Sequence, residues 1–238
     1  MPTKRNKTSK EMHDSFSRQI LHFLKSVSEP EKIGNDVSFM NPYRDPNVME
    51  LCELFFTKYF NDKSKRVIIF GINPGRFGGG ITGISFTDPV ALESNCGITN
   101  HLNKRKEISS EFIYEMIDKF GGARKFYSKV FLTAVYPLAL IRNGKNFNYY
   151  DDKKVTDKMF PYLRDSFEKQ FYLNSFYKTA ISLGKKNYGY LKRLNDEFKF
   201  FNDLKILEHP RFIMQYRRKH KDEYIAKYLT TIQGILNQ

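Results

Sequence analysis

The sequence predicts a three-layer α/β/α fold built around a central four-stranded parallel sheet. Four short runs rich in β-branched and aromatic residues alternate with segments of helical periodicity, as in parallel strands joined by helical crossovers. The runs lie at 66–72, 129–135, 177–183 and 204–208. Because such crossovers are right-handed, we expect the carboxyl ends of all four strands at one edge of the sheet.

Two helices are predicted before the first strand. Phe16, Ile20 and Phe23 recur at three- and four-residue steps, which indicates an amphipathic helix that packs on the core. A second helix is predicted to begin after Asp45-Pro46 and to end at Asn61-Asp62. Later helices are predicted at 88–95, 110–120, 156–171, 186–198 and 214–236, with Asp88 as the cap of the first of these.

The length and composition favour one domain over residues 1–238. The 238 residues include 22 Phe and 15 Tyr, which provide ample apolar surface for one core, and no Pro/Gly/Ser-rich linker divides the chain. Residues 1–12 are basic and polar and are predicted to form a flexible arm.

The charge balance indicates a nucleic-acid partner. Forty Lys and Arg residues against 26 acidic residues give a formal net charge of +14, which favours binding to a polyanion. The sequence contains no apolar segment typical of a signal peptide or membrane span. With only Cys52 and Cys96, a four-thiolate metal site is excluded, so we expect a reduced cytoplasmic protein without metal or cofactor.

The segment from Gly71 to Phe86 is the strongest indication of function. It is dense in glycine and directly follows the first predicted strand, where open α/β sheets bind ligands. Asn73 lies at the start of this loop, and His209 follows the fourth predicted strand. Since both strands end at the same edge, we expect the amide and the imidazole to share a pocket.

These residues resemble the motifs of a known enzyme superfamily. Gly71-Ile72-Asn73-Pro74-Gly75, with Phe77-Gly78 and Thr82-Gly83 leading to Phe86, resembles motif one of the uracil-DNA glycosylases, and His209-Pro210 resembles motif two. The extended first motif is similar to that of the single-strand-selective monofunctional (SMUG) branch and its bacterial relatives. The resemblance covers roughly residues 35–225.

The resemblance implies a monofunctional DNA glycosylase of base-excision repair, acting as a monomer and associated with the nucleoid if bacterial. It assigns Asn73 to hold the attacking water and His209 to stabilise negative charge on the departing base, as the chemistry of N-glycosidic cleavage requires. The base would be bound by the backbone at Ile72, by the space at Gly75, and by Phe77 and Phe86, whose alternative role is core packing.

One position departs from the SMUG pattern. Where the branch has an asparagine that reads the uracil edge, this chain has Ala134, shortly before Val135-Tyr136-Pro137-Leu138. Loss of that amide predicts a wider set of deaminated bases, which includes hypoxanthine and xanthine as well as uracil.

The segment after His209 is predicted to engage DNA. It combines apolar and aromatic side chains with a basic cluster, a composition suited to filling the gap left by an extruded nucleotide while binding the flanking phosphates. Either Arg211 or Phe212 is the predicted wedge. The predicted phosphate contacts are Arg76, Lys185, Arg217, Arg218 and Lys219, although a charge run such as 217–221 is also typical of a solvated helix face.

Two other classes of protein fit the sequence less well. A noncatalytic lesion- or single-strand-binding protein would use the same fold, but binding alone requires neither Asn73 nor His209. A nucleotide-binding enzyme is disfavoured because the loop lacks both Gly-Lys-Ser/Thr and Gly-x-Gly-x-x-Gly.

Overall fold

The computed structural model describes residues 15–31, 33–34 and 36–238. The basic arm predicted at 1–12 lies outside the described residues.

Helices and strands alternate through most of the described chain. The helices are α1 (Phe16–Lys25), α2 (Pro46–Phe60), α3 (Gly79–Thr82), α4 (Pro89–Ser94), α5 (Ile108–Phe120), α6 (Ala123–Lys129), α7 (Lys153–Phe171), α8 (Lys185–Phe198), α9 (Pro210–Tyr216) and α10 (Lys221–Leu236). The strands are β1 (Val37–Met40), β2 (Val67–Gly71), β3 (Val130–Ala134), β4 (Ala139–Arg142), β5 (Lys145–Phe147), β6 (Thr179–Leu183) and β7 (Asp203–Leu207).

The central sheet has the predicted four parallel strands in the order β3-β2-β6-β7. Strands β2, β3 and β6 are buried at every residue, as their unbroken apolar runs require. In the register of β2 with β3, Gly71 pairs with Ala134. The first predicted motif and the position that departs from the SMUG pattern are therefore neighbours at one sheet edge.

Helices cover both faces of this sheet. On one face Phe167 of α7 contacts Phe70 of β2, with ring centroids 5.7 Å apart, and α8 packs beside α7. Helix α10 contacts β2 and packs on α5, where Tyr228 and Phe112 are 5.1 Å apart. The predicted α/β/α fold is confirmed.

A second, antiparallel sheet was not predicted. It has the order β1-β4-β5, and β4 and β5 form a hairpin whose turn, Asn143-Gly144, has positive φ at both residues. This is the geometry of a two-residue hairpin turn, for which Asn-Gly is a strong sequence signal. The hairpin follows β3 and carries residues toward the carboxyl edge of the central sheet.

The prediction of one continuous helix at 214–236 is wrong. The structure has α9 and α10, separated by Arg217 and a short 3-10 helix at Arg218–His220. Helix α9 begins earlier than predicted because the His209 side chain caps it and Pro210 occupies its first position. Arg217 and Arg218 therefore lie in an exposed turn between the two helices.

Candidate active site

A cavity of about 250 Å³ lies at the carboxyl edge of the central sheet. Five predicted site residues from the first two strand ends line it: Ile72, Asn73, Gly75, Phe86 and Ala134. His209 lines it from the end of β7, with Arg211 and Phe212 beside it on α9. The topology thus brings the two predicted motifs together in one cavity.

The glycine loop folds back on itself immediately after Asn73. The carbonyl of Gly75 accepts hydrogen bonds from the N–H groups of Gly78, at 3.2 Å, and Gly80, at 2.9 Å. The N–H of Arg76 donates to Oδ1 of Asn146 in the hairpin, at 2.9 Å. These bonds fix the loop on both sides and keep its backbone at the cavity wall.

Asn73 presents an unpaired acceptor. Its Nδ2 donates to the carbonyl of Phe147 at 3.0 Å, which orients the amide. Its Oδ1 is buried and has no hydrogen-bond partner among the described residues. An unsatisfied buried amide oxygen is costly to fold, and such an atom is able to accept a hydrogen bond from water that enters the cavity.

His209 presents a donor. Its Nδ1 accepts a hydrogen bond from the N–H of Arg211 at 3.2 Å, so the ring proton of the neutral imidazole is on Nε2. Burial, with a smaller contribution from the positive charge of Arg211, lowers the pKa of His209 to about 4. The imidazole is therefore neutral near pH 7, and its Nε2–H is free to donate.

Phe86 and Ala134 form apolar walls. The Phe86 ring lies so close to Gly71 that a Cβ at that position would be 2.6 Å from two ring carbons. Phe86 itself has φ of +57°, an uncommon conformation for a bulky residue. Ala134 is buried and contributes only a methyl group to the wall.

Six predicted site residues do not line the cavity: Arg76, Phe77 and Lys185, and the basic residues Arg217, Arg218 and Lys219 beyond α9. The Phe77 ring contacts two guanidinium groups, with the Arg76 Cζ 4.4 Å and the Arg105 Cζ 3.6 Å from its centroid. The predicted pocket position of Phe77 is thus not found, because the turn at Gly75 directs the ring away from the cavity. Arg76 lies beside the hairpin turn at Gly144, and Lys185 is exposed at the start of α8.

The exposed end of α9 forms the cavity rim. Phe212 and Tyr216 are 42% and 66% exposed, with ring centroids 5.6 Å apart. Arg217 and Lys219 are exposed beyond them, and Arg218 forms an ion pair with Glu111 at 2.8 Å. An aromatic pair bordered by cations therefore faces solvent next to the cavity.

Sequence reasoning missed several residues of the cavity. These are Pro74, Gly79, Ser85, Glu107, Ser109, Asn146, Asn148, Tyr150, Gln215 and Tyr216. Asn146 and Asn148 come from the hairpin and the loop after it, which the Asn143-Gly144 signal would have revealed. Glu107 lies at the N-cap of α5 and carried no recognisable signal.

Among the described residues, no group of three or more His, Cys, Asp or Glu side chains is arranged to hold a metal ion. Within the same part of the chain, no helix is long and apolar enough to cross a membrane.

The α/β/α fold and the pairing of the two strand-end motifs match those of a known superfamily. The family model of the uracil DNA glycosylase superfamily matches residues 57–233, so the chain belongs to that superfamily. The crystal structure of SMUG2 from Pedobacter heparinus is similar, with a TM-score of 0.89 and 38% sequence identity over 94% of this chain and 99% of that chain. No curated protein matches the sequence significantly. The resemblance read from the motifs is confirmed.

Proposed function

We propose that this protein is a monofunctional DNA glycosylase that hydrolyses the N-glycosidic bond of deaminated bases in DNA. The observation that carries the proposal is the pairing, in one cavity, of an unsatisfied acceptor on Asn73 with a neutral donor on His209. Membership of the superfamily and the similarity to SMUG2 support it.

The two groups fit the two needs of the reaction. When the bond between C1′ and the base nitrogen breaks, the electron pair leaves with the base and the sugar becomes cationic. The Nε2–H of His209 donates to the departing base, at O2 of uracil or at N3 of a purine, and this hydrogen bond strengthens as negative charge develops there. Asn73 Oδ1 accepts from a water held near C1′. That water adds to C1′ and loses a proton to solvent, and the departing base anion takes up a proton, which gives the hemiacetal and the neutral free base.

We infer a single hydrolytic step without strand cleavage. A glycosylase that also cleaves the strand uses an amine nucleophile, and no lysine is among the described residues that line the cavity. The product is therefore an abasic site that remains intact until alkali is added.

The Ala134 wall supports a broad choice of base. A methyl group at this position leaves no amide to select the edge of uracil and leaves room for a larger ring. We therefore assign uracil, hypoxanthine and xanthine as substrates, with Ile72, Gly75 and Phe86 in contact with the base.

We assign DNA engagement to the rim. Phe212 or Arg211 fills the space left by the extruded nucleotide, and Arg217, Arg218 and Lys219 contact phosphates. Arg76, in the glycine loop, and Lys185, at the start of α8, extend this basic surface. Phe77, in contact with two guanidinium groups, supports Arg76 rather than the base.

Cleavage of defined oligonucleotides tests the proposal. Labelled single- and double-stranded DNA with one uracil, hypoxanthine or xanthine is incubated with the enzyme, treated with alkali and resolved on a gel. We expect cleavage at the lesion only after alkali, and none beyond background with Asn73→Ala. Tight lesion binding without turnover by the unmodified protein would contradict the proposal and favour the noncatalytic alternative.

A further inference from the structure

Glu107 is a cavity residue whose carboxyl group has no structural task. It is the N-cap residue of α5, yet its side chain accepts no hydrogen bond from that helix. No hydrogen bond or ion pair from another described residue reaches the carboxyl oxygens. A carboxyl that lines a cavity without a partner is available for a ligand.

The position of Glu107 is fixed from two sides. Its backbone N–H donates to Oδ2 of Asp88 at 2.8 Å, while Oδ1 of Asp88 caps α4. The carboxyl lies against the glycine loop, where a Cβ on either Gly75 or Gly78 would overlap its oxygens. The loop therefore needs glycine at both positions to admit this side chain.

Three influences set the charge of Glu107. Burial, then the negative charge of Asp88 at the start of α4, raises the pKa of Glu107 to about 7, against the opposing effect of Arg211 on α9. His209, also at the start of α9, is neutral, and Arg76, the charged side chain of the glycine loop, lies beside the hairpin turn at Gly144. Below neutral pH the carboxyl is largely protonated, so it has one O–H donor and one acceptor.

We propose that Glu107 is a base-recognition residue that hydrogen-bonds the lactam edge of the extruded base, a task that Ala134 leaves unfilled. This inference rests on the proposed function. Uracil, hypoxanthine and xanthine each present an adjacent C=O and N–H, to which a carboxylic acid donates and from which it accepts. The single carboxyl thus serves all three bases.

The protonated form is the active one. Negative charge moves onto the base as it departs, and a hydrogen bond donated to its carbonyl stabilises that charge. An ionised carboxylate at the same place repels it. The rate of base release should therefore fall as pH rises through about 7, by roughly tenfold per pH unit above it.

Glu107→Gln and Glu107→Ala separate recognition from a structural role. We expect Glu107→Gln, which donates and accepts without titrating, to excise with a flattened pH profile between pH 5.5 and 9. We expect Glu107→Ala to be about 100-fold slower at pH 6.5. Glu115→Gln, a change on the same helix outside the cavity, should keep the original profile, and thermal unfolding of all variants checks folding.

Binding provides a readout that does not depend on turnover. DNA with an uncleavable 2′-fluorinated deoxyuridine is compared with DNA that carries a tetrahydrofuran abasic analogue. Glu107→Ala should weaken binding to the first by about tenfold or more and leave the second unchanged. A lesion-specific loss supports the inference even if no excision occurs, in which case the proposed function alone fails. Two results would overturn the inference. One is that Glu107→Ala changes binding to both DNAs equally, and the other is that Glu107→Gln is as inactive as Glu107→Ala at every pH.

Discussion

The rings of Phe86 and His209 lie beside each other, with centroids 5.8 Å apart and planes inclined at 44°. Phe86 ends the glycine-rich motif after β2, and His209 follows β7 at the far edge of the sheet. The contact joins the two motifs across the cavity. It depends on the left-handed backbone of Phe86 and on the absence of a side chain at Gly71.

Gly71→Ala should therefore damage the cavity. The new Cβ would be 2.6 Å from two carbons of the Phe86 ring and 3.3 Å from the carbonyl of Thr133, so the ring must shift and its contact with His209 must change. We expect a loss of about 1–3 kcal/mol in the free energy of unfolding, typical of overpacking, and a large drop in excision. Denaturant unfolding and the gel assay measure the two effects.

Gly189→Ala is the matched control. Gly189 lies inside α8, and a Cβ there would meet no atom within 4 Å. The change should raise the free energy of unfolding by about 0.5–1 kcal/mol and leave excision unaltered, because alanine is the better helix former. Unimpaired excision by Gly71→Ala would show that the Phe86–His209 contact does not matter.

Substitutions at Asn73 and His209 should lower turnover far more than they lower DNA binding. Asn73→Ala removes the proposed water acceptor, and His209→Ala removes the proposed donor to the base. Each should slow single-turnover excision by about 100- to 1000-fold. Binding to abasic-analogue DNA, measured by fluorescence anisotropy, should change little. A variant that loses DNA binding in proportion to its rate would indicate that the residue maintains the DNA surface instead.

The strand that positions Asn73 was predictable because burial on both faces demands an unbroken apolar run. Val67–Gly71 shows that pattern directly, as does the neighbouring strand Thr179–Leu183. Strand β7, which leads to His209, is largely exposed, and its short apolar run and its place in the α/β alternation predicted it instead. The helix periodicities were equally clear for α1 and α8. Asp88 also caps α4 as predicted, through hydrogen bonds to the N–H groups of Val90 and Ala91.

Residues that reach the cavity through tertiary packing could not be predicted in the same way. Glu107 lies 34 positions from Asn73 and reaches the loop only because Asp88 holds its backbone. Asn187 is a similar case: its Nδ2, buried in α8, donates to the carbonyls of Phe70 and Gly71 at 3.1 Å. Neither contact has a local sequence signature, since each depends on how distant elements pack.

Asn187→Leu should therefore weaken the support of the β2 end. The substitution leaves two buried carbonyls and the hydroxyl of Tyr149, which donates to Asn187 Oδ1 at 2.6 Å, without this partner. We expect a loss of about 2–4 kcal/mol in the free energy of unfolding from the combined unsatisfied groups. Urea unfolding measures it. Tyr149→Phe, which removes one hydroxyl, should cost less, and equal losses would mean that the bonds to β2 contribute nothing.

The depressed pKa of His209 predicts a pH-dependent stability. In the unfolded chain a histidine titrates near 6.5, whereas burial holds the pKa of His209 at about 4 in the folded protein. Between these values the unfolded state binds more protons, so the free energy of unfolding falls as pH decreases from about 6.5 toward 4. His209→Gln should reduce this fall, as measured by the thermal midpoint from pH 7.5 to 4.5. The exposed His101→Gln serves as control, and identical slopes for the two variants would contradict the prediction.

Substitution of the proposed wedge at the rim should slow excision from duplex DNA more than excision from single-stranded DNA. Extrusion from a duplex requires unstacking and unpairing, which cost a few kcal/mol and are offset by a side chain that fills the gap. Phe212→Ala should therefore slow excision of uracil from duplex DNA by about tenfold more than from a single strand. Arg217→Ala should weaken binding to both DNAs and lower the salt slope by about one. Lys65→Ala, at the opposite edge of the sheet before β2, is the control for charge and should leave both quantities unchanged. Equal losses on the two DNAs for Phe212→Ala would assign the wedge to Arg211 or Tyr216 instead.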